Sequence, residues 1–226
     1  MLLAIEANAS GGSVALFDGG RLLGERSVVM KGATEERLMP AVVDLVTAHT
    51  HWGELTALVV SGGPGSFTSL RIAAAIAKGI ATATGAPLYA APSLGLLVAQ
   101  ASAPPSGRYA AVLDAMRGEV FLALVDVGSG GRVSAIGDAA RVSASDVASI
   151  AASEGATLVG AIEGAVHAWA PHARGAGVLV AQRLVTVVDL ASWEPDYGRL
   201  AEAQVKWEAV HGRSLAGGGG AGPAGA

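Results

Sequence analysis

Short apolar runs, bounded by acids and glycines, open the chain. Leu2 to Glu6 and Ser13 to Asp18 read as strands on either side of a Gly11-Gly12 turn. Asp18-Gly19-Gly20 is a hairpin signal, and Leu22 to Met30 gives a third strand. The period then lengthens. From Thr34 to about His49, Leu38, Val42, Leu45 and Val46 recur at helical spacing. Thr34 suits the N-cap, and Glu35 and Glu36 suit the positive end of the helix dipole. Pro40 falls late for a first-turn proline, which predicts a kink or a delayed start. Ala57-Leu58-Val59-Val60 is of strand type, and three glycines and a proline follow it. Leu70 to Thr84 is helical and alanine-rich, stopped by Gly85 and Pro87, with Ser66 or Thr68 placed to cap it. Pro87 to Ala91 is another short strand, and Ser93 caps a helix to about Ala101.

Ala103-Pro104-Pro105-Ser106-Gly107 is the best linker, and after it the pattern restarts. Ala110 to Asp114, Glu119 to Val127 and Val133 to Ile136 are strands. Ser143 or Ser145 caps a helix to about Ser153, and Thr157 to Gly160 is a strand. The order of three strands, helix, strand, helix thus appears twice, the layout of a two-lobed α/β protein with a helix-flanked mixed sheet in each lobe. Val178 to Val180 and Leu184 to Val188 are strand-like, and Leu200 to Val210 is helical. The expected units are an N-terminal lobe over 1–103, a smaller lobe over 108–193, a closing helix over 194–214 and a disordered Gly/Ala-rich tail over 215–226.

The alanine-rich helix has no wide polar face, and Arg71 and Lys78 are its only charges. Such a helix needs burial on more than one side. One side suits its own sheet. The other, lined with Ala and Gly, admits a second helix, from this domain or from another protein. The preceding loop, Gly62, Gly63, Pro64, Gly65 and Ser66, is a candidate nucleotide or phosphate loop, because strand, glycine loop and helix point backbone amides at an anion. It lacks the Lys-Ser or Lys-Thr of a Walker motif, and a tight turn accounts for its glycines equally well.

Composition narrows the chemistry. The chain has 226 residues, 51% of them apolar and only 15% charged, with a net charge of -4 that leaves no electrostatic footprint for nucleic acid. With no cysteine there is no disulfide, thiolate nucleophile or thiolate-bound zinc. No basic N-terminal region precedes an apolar one, and no apolar run is long enough to span a membrane, so a cytoplasmic protein is expected. His49, His51, His167, His172 and His211 form no metal-binding spacing, and no metal or catalytic residue is assigned. Glu6 closes the first strand. Asp114 closes the first strand of the second half, where it reads as a turn cap paired with Arg117.

Several separated segments, in order, resemble the TsaB (YeaZ) family. Gly63-Pro64-Gly65-Ser66-Phe67-Thr68-Ser69-Leu70-Arg71-Ile72 is similar to its GPGSFTGLRIG signature. Leu3 to Glu6, Ser13 to Leu16, Lys78 to Ala81, Asp114 to Phe121, Tyr197 to Leu200 and Lys206 to Glu208 resemble further family segments. The resemblance implies an actin-like ATPase (ASKHA) fold of two RNase H-like lobes. It implies no transferase activity and no cofactor of the chain's own, although a nucleotide at the partner interface fits. The implied partners are a TsaD-like catalytic subunit, which transfers threonylcarbamoyl to N6 of adenosine 37 of tRNA, and a TsaE-like ATPase, with tRNA met only through the complex. It places the partner face on the first two helices, giving Leu38, Val42, Leu45, Leu70, Arg71, Ile72, Ala75, Ile76, Lys78 and Gly79 as interface residues. A homodimer through the same helices is a further option. Glu6-Ala7, Thr34, Ser69 and Ala73 depart from the family's Asp-Thr, His, Gly and Gly. The stretch from Gly160 to Trp193 is also short, and a family helix before the closing segment is missing. The competing reading is a stand-alone ASKHA-type ATPase or sugar/acetate-kinase-like enzyme, which requires an Asp on the first strand. A metallopeptidase would require metal ligands.

Overall fold

The computed structural model describes residues 1–8, 11–30, 37–101 and 103–198. Strands β1 (Leu2–Asn8), β2 (Gly11–Asp18) and β3 (Arg21–Val29) form an antiparallel meander. Helix α1 (Leu38–His49) leads to β4 (Ala57–Ser61), which joins β1 in parallel. Helix α2 (Phe67–Thr84) then leads to β5 (Leu88–Ala91), parallel to β4, and α3 (Ser93–Ala99) follows. Central β1 and β4 read as near-continuous apolar runs because they are covered on both faces.

The second half builds a smaller sheet. Strands β6 (Gly107–Asp114) and β7 (Glu119–Val127) form a long hairpin. Strands β8 (Val133–Ile136) and β9 (Ala140–Ser143) both pair with β7, along different stretches. Helix α4 (Val147–Ser153) precedes β10 (Thr157–Gly160), parallel to β6. Helix α5 (Ala176–Ala181) and the two-residue β11 (Thr186–Val187) complete the described chain. The sheet orders are β11-β5-β4-β1-β2-β3 and β10-β6-β7-β8. This is the actin-like fold of two RNase H-like lobes.

Three apolar clusters hold it. The outer face of the first sheet packs under α1 and α2, with Leu38, Val42 and Leu45 against Leu3, Ile5, Leu16 and Leu58. The inner face packs, through α3, against the inner face of the second sheet, so Leu94, Leu97, Phe17, Tyr109, Val125 and Leu179 share one core. The third lies between α4 and the second sheet. Burying each such Leu contributes about 1.5–3 kcal/mol relative to exposure.

Several expectations change. Val178 to Val180 lies in helix α5, not a strand: Leu179 is fully buried against α3, and a short apolar run fits either element. Of Leu184 to Val188 only Thr186–Val187 forms a strand, and it pairs with β5 of the first sheet. Val188, Leu190 and Trp193 also pack on the first lobe's outer core, so the chain leaves the second lobe well before 193. Strand β9 is an addition to the expected elements: its four residues alternate apolar and polar but are too few to mark a strand by themselves, and β7, at nine residues, is long enough to take two short partners. Helix α1 is described from Leu38, which puts Pro40 in its first turn, where the missing N–H costs nothing. Thr34, the helix expected over 200–210, most of the closing helix over 194–214 and the tail over 215–226 lie outside the described residues.

Candidate functional site

The glycine loop links β4 to α2, and most of it is occupied by its own chain. Gly62 donates its amide to Ala91 O at 2.7 Å, and its carbonyl accepts from the Asp196 amide at 2.8 Å. The Gly63 carbonyl accepts from the Ser93 amide at 2.9 Å. Gly63 has a φ of 101°, and a Cβ there would run into the Asp196 carbonyl, so only glycine fits. Pro64 is buried. Gly62, Gly63 and Pro64 are bonded to or packed against their own chain, and of the five loop residues Gly65 and Ser66 line the neighbouring cleft. Ser66 sits at the N-cap position without making a capping bond; Ser69 Oγ donates to Ser66 Oγ instead, at 3.2 Å. Tyr197 closes over the loop with its ring 4.5 Å from that of Phe67, and burial is the main cause that pushes its hydroxyl up to about 12.

Helix α2 has two distinct sides. Leu70, Ala73, Ala77, Ile80 and Ala81 face the sheet and are buried. Arg71, Ala75 and Gly79 are exposed, with Ile72 and Ile76 half-buried beside them on the rim of the outer core. A Cβ added at Gly79 meets open space. Burial divides the ten residues expected at a partner face. Leu38, Val42, Leu45 and Leu70 are fully buried in their own core, because the helical period that made them conspicuous is the period of the stripe that meets the sheet. Lys78 is also turned inward, donating to the Trp193 carbonyl with its ammonium 5.7 Å from the Trp193 ring centroid. Arg71, Ile72, Ala75, Ile76 and Gly79 remain as the outward face, small or apolar except for Arg71, whose guanidinium lies 5.2 Å over the Phe67 ring.

Beside the N-terminus of α2, between the two lobes, lies a cleft of about 680 Å³. Its floor is Glu6 on β1, which is 2% exposed. Ser13 Oγ donates to Glu6 Oε2 at 3.2 Å and accepts from the Ala173 amide at 2.9 Å. Glu6 Oε1 is buried without a hydrogen-bond partner. Burial pushes the Glu6 carboxyl up to about 8, with the Ser13 hydroxyl opposing. Asp114 lines the opposite lobe, and its Oδ1 accepts from the Met116 amide at 2.7 Å, the turn-capping role expected of it. The left-handed Met116 and Arg117 follow at the turn.

The segment after β10 is tied to the first sheet by groups that spacing alone did not reveal. His172 Nδ1 accepts from the Arg174 amide at 3.1 Å, which places the ring proton on Nε2, 3.1 Å from Ser27 Oγ. Arg174 Nη2 donates to Glu25 Oε1 at 2.6 Å. Burial, then the neighbouring Arg174 charge, holds the His172 imidazole below its usual range. The signal that could have found His172 was sparse: one histidine two residues before a basic residue. No cluster of three metal-ligating side chains occurs among the described residues.

Comparison with known proteins places this architecture. The family model described as TsaD, tRNA N6-adenosine threonylcarbamoyltransferase, matches residues 29–167, more than half of the chain. The tRNA threonylcarbamoyladenosine biosynthesis protein TsaB of Escherichia coli is 34% identical over 125 residues, covering 54% of this chain and 53% of that protein. The protein of the same name from Bacillus subtilis is 31% identical over 130 residues, covering 57% and 56%. The matches therefore span about half the length of these relatives. YeaZ from Pseudomonas aeruginosa superposes with a TM-score of 0.71 at 27% identity, over 87% of this chain and 98% of that one. A Pseudomonas aeruginosa protein described as similar to peptidase YeaZ superposes with a TM-score of 0.72 at 28% identity, over 88% and 99%. From the signature loop, the two RNase H-like lobes and these matches, the chain belongs to the TsaD family of tRNA N6-adenosine threonylcarbamoyltransferase proteins, on its TsaB/YeaZ side.

Proposed function

We propose that this chain is a non-catalytic, cytoplasmic subunit that docks on a TsaD-like catalytic partner, joined by a TsaE-like ATPase. In that role it supports threonylcarbamoyl transfer to N6 of adenosine 37 of tRNA. The carrying observation is the outward face of α2: Ile72, Ala75, Ile76 and Gly79 present an apolar and small surface, with the charged Arg71 at its edge, on a helix whose other side is already buried. Small side chains let a partner helix approach to short interaxial distance, and Ile72 and Ile76 supply the area whose burial drives association.

The signature loop has a structural job in this reading. It fixes the start of α2, and the closing segment through Asp196 and Tyr197 locks it. The chain then holds the catalytic partner in a competent shape and meets tRNA only through that partner, consistent with its net charge of -4. Nucleotide, where present, sits at the partner interface, and a second copy takes the same face when the partner is absent. The test is reconstitution with the TsaD-like protein, the ATPase and tRNA from the same source. Threonylcarbamoyl transfer should require this chain, and this chain alone should turn over neither ATP nor the adenylate donor. Transfer that proceeds equally well without it, or ATP hydrolysis by the isolated chain, overturns the proposal.

A further inference from the structure

The interlobe cleft has the wrong polarity for a nucleotide. Two carboxyl groups line it, Glu6 and Asp114, and among the described residues no Lys or Arg does. Its one basic side chain is His172, which burial and Arg174 hold toward the neutral form and whose Nδ1 accepts from the Arg174 amide. A phosphate chain entering here would find no cation to pair with, and two acids nearby. Much of the remaining wall is apolar or aromatic, including Phe67, Phe121 and Trp169.

Glu6 makes the floor a built feature. Its Oε2 is fixed by the Ser13 hydroxyl, which the Ala173 amide orients in turn. Its Oε1 has no partner although it is buried, and leaving a buried polar atom unpaired is costly unless something else satisfies it. Asn8, Ser66 and Thr68 bring further side-chain oxygens, which accept from N–H groups. Oxygen acceptors on the floor and aromatic faces on the wall are complementary to an ammonium on an apolar body. The volume suits one small molecule.

We propose that this cleft is a binding site for a small organic cation, a primary amine with an apolar or aromatic body, whose ammonium is taken by Glu6. Burial keeps the Glu6 carboxyl mostly protonated at neutral pH. An arriving ammonium favours the carboxylate, so the carboxyl proton passes to buffer as the ion pair forms. Asp114 on the facing lobe adds to the attraction. His172 opposes it only when protonated, and Glu25 and Arg174 behind it are paired with each other.

The experiment is isothermal titration calorimetry of the full chain with phenethylamine, phenethyl alcohol and hydrocinnamate, in two neutral buffers of different ionisation enthalpy. Phenethylamine should bind with release of most of one proton, and the alcohol and the anion should bind far more weakly. Glu6→Gln keeps the shape of the neutral acid. It should abolish the proton release and weaken the amine about tenfold, the loss expected for a charged hydrogen bond. Asp114→Asn, at an exposed turn whose cap an amide oxygen preserves, should weaken the amine by less. The proposal falls if phenethylamine does not bind, if the alcohol or anion binds equally well, or if no proton is released. Undiminished amine binding to a folded Glu6→Gln chain also overturns it.

Discussion

Replacing Glu6 by glutamine should make the protein more stable, by an amount that grows with pH. In the folded state the carboxyl titrates near 8, against an ordinary 4.5, because its burial penalises the charged form. For an acid whose folded value is raised, stability is fully present below the unfolded value and is lost as pH rises through the folded one. Above pH 4.5 the unfolded chain gives up the proton while the folded chain keeps it, so each further pH step toward 8 costs about 1.4 kcal/mol. By pH 8 the penalty reaches about 4 kcal/mol, a large part of an ordinary domain's stability. Glutamine still accepts from Ser13 Oγ and does not ionise, so it escapes the penalty. Urea unfolding of both proteins at pH 4.5 and at pH 8 measures it, and the difference between the two chains cancels all other titrating groups. The variant should match wild type at the lower pH and exceed it by several kcal/mol at the higher. A difference that stays flat across this range would refute a buried, protonated Glu6.

Leu38→Ala tests the assignment of the first helix to the core: with Leu38 fully buried among Leu3, Ile5 and Leu16, it should lower unfolding free energy by about 2–5 kcal/mol in denaturant titrations. A loss below about 0.5 kcal/mol, the range of a surface change, would put Leu38 on the outside. Gly63→Ala should lower stability and open the closing segment, because φ is 101° and the Asp196 carbonyl occupies the Cβ position. Limited proteolysis after Asp196 should accelerate in that variant, and an unchanged rate would mean that the segment does not lock the loop.

Much of this architecture is legible in the sequence, since local signals and tertiary context agree along the first lobe. The apolar run between Ser13 and Asp18, the glycine at Gly85 with its left-handed φ of 72° and the apolar run at Ala57 each fix an element unaided. Where context decides, the pattern fails. Val178 to Val180 turns helical because Leu179 fills a gap against α3, which no window of a few residues contains. The interface reading shows the same limit. Helical periodicity marks Leu38, Val42, Leu45 and Leu70 as one class of buried position, but cannot tell whether the chain or a partner buries them. In the sequence Glu6 reads only as a departure from a family residue. Its missing hydrogen-bond partner depends on Ser13, Ala173 and the facing lobe, all brought together by folding.

The contact proposed for the outward face of α2 is with a TsaD-like catalytic subunit. It is tested most directly by titrating that subunit, from the same source, with the wild-type chain and with Ile76→Glu. Ile76 is only half-buried, so the variant should keep the wild-type circular dichroism and melting behaviour. Wild type should bind tightly, and the folded variant should lose about 30-fold or more in affinity, as for a charge set in the centre of an apolar interface. Absence of binding by wild type, or equal binding by a folded Ile76→Glu chain, would contradict it.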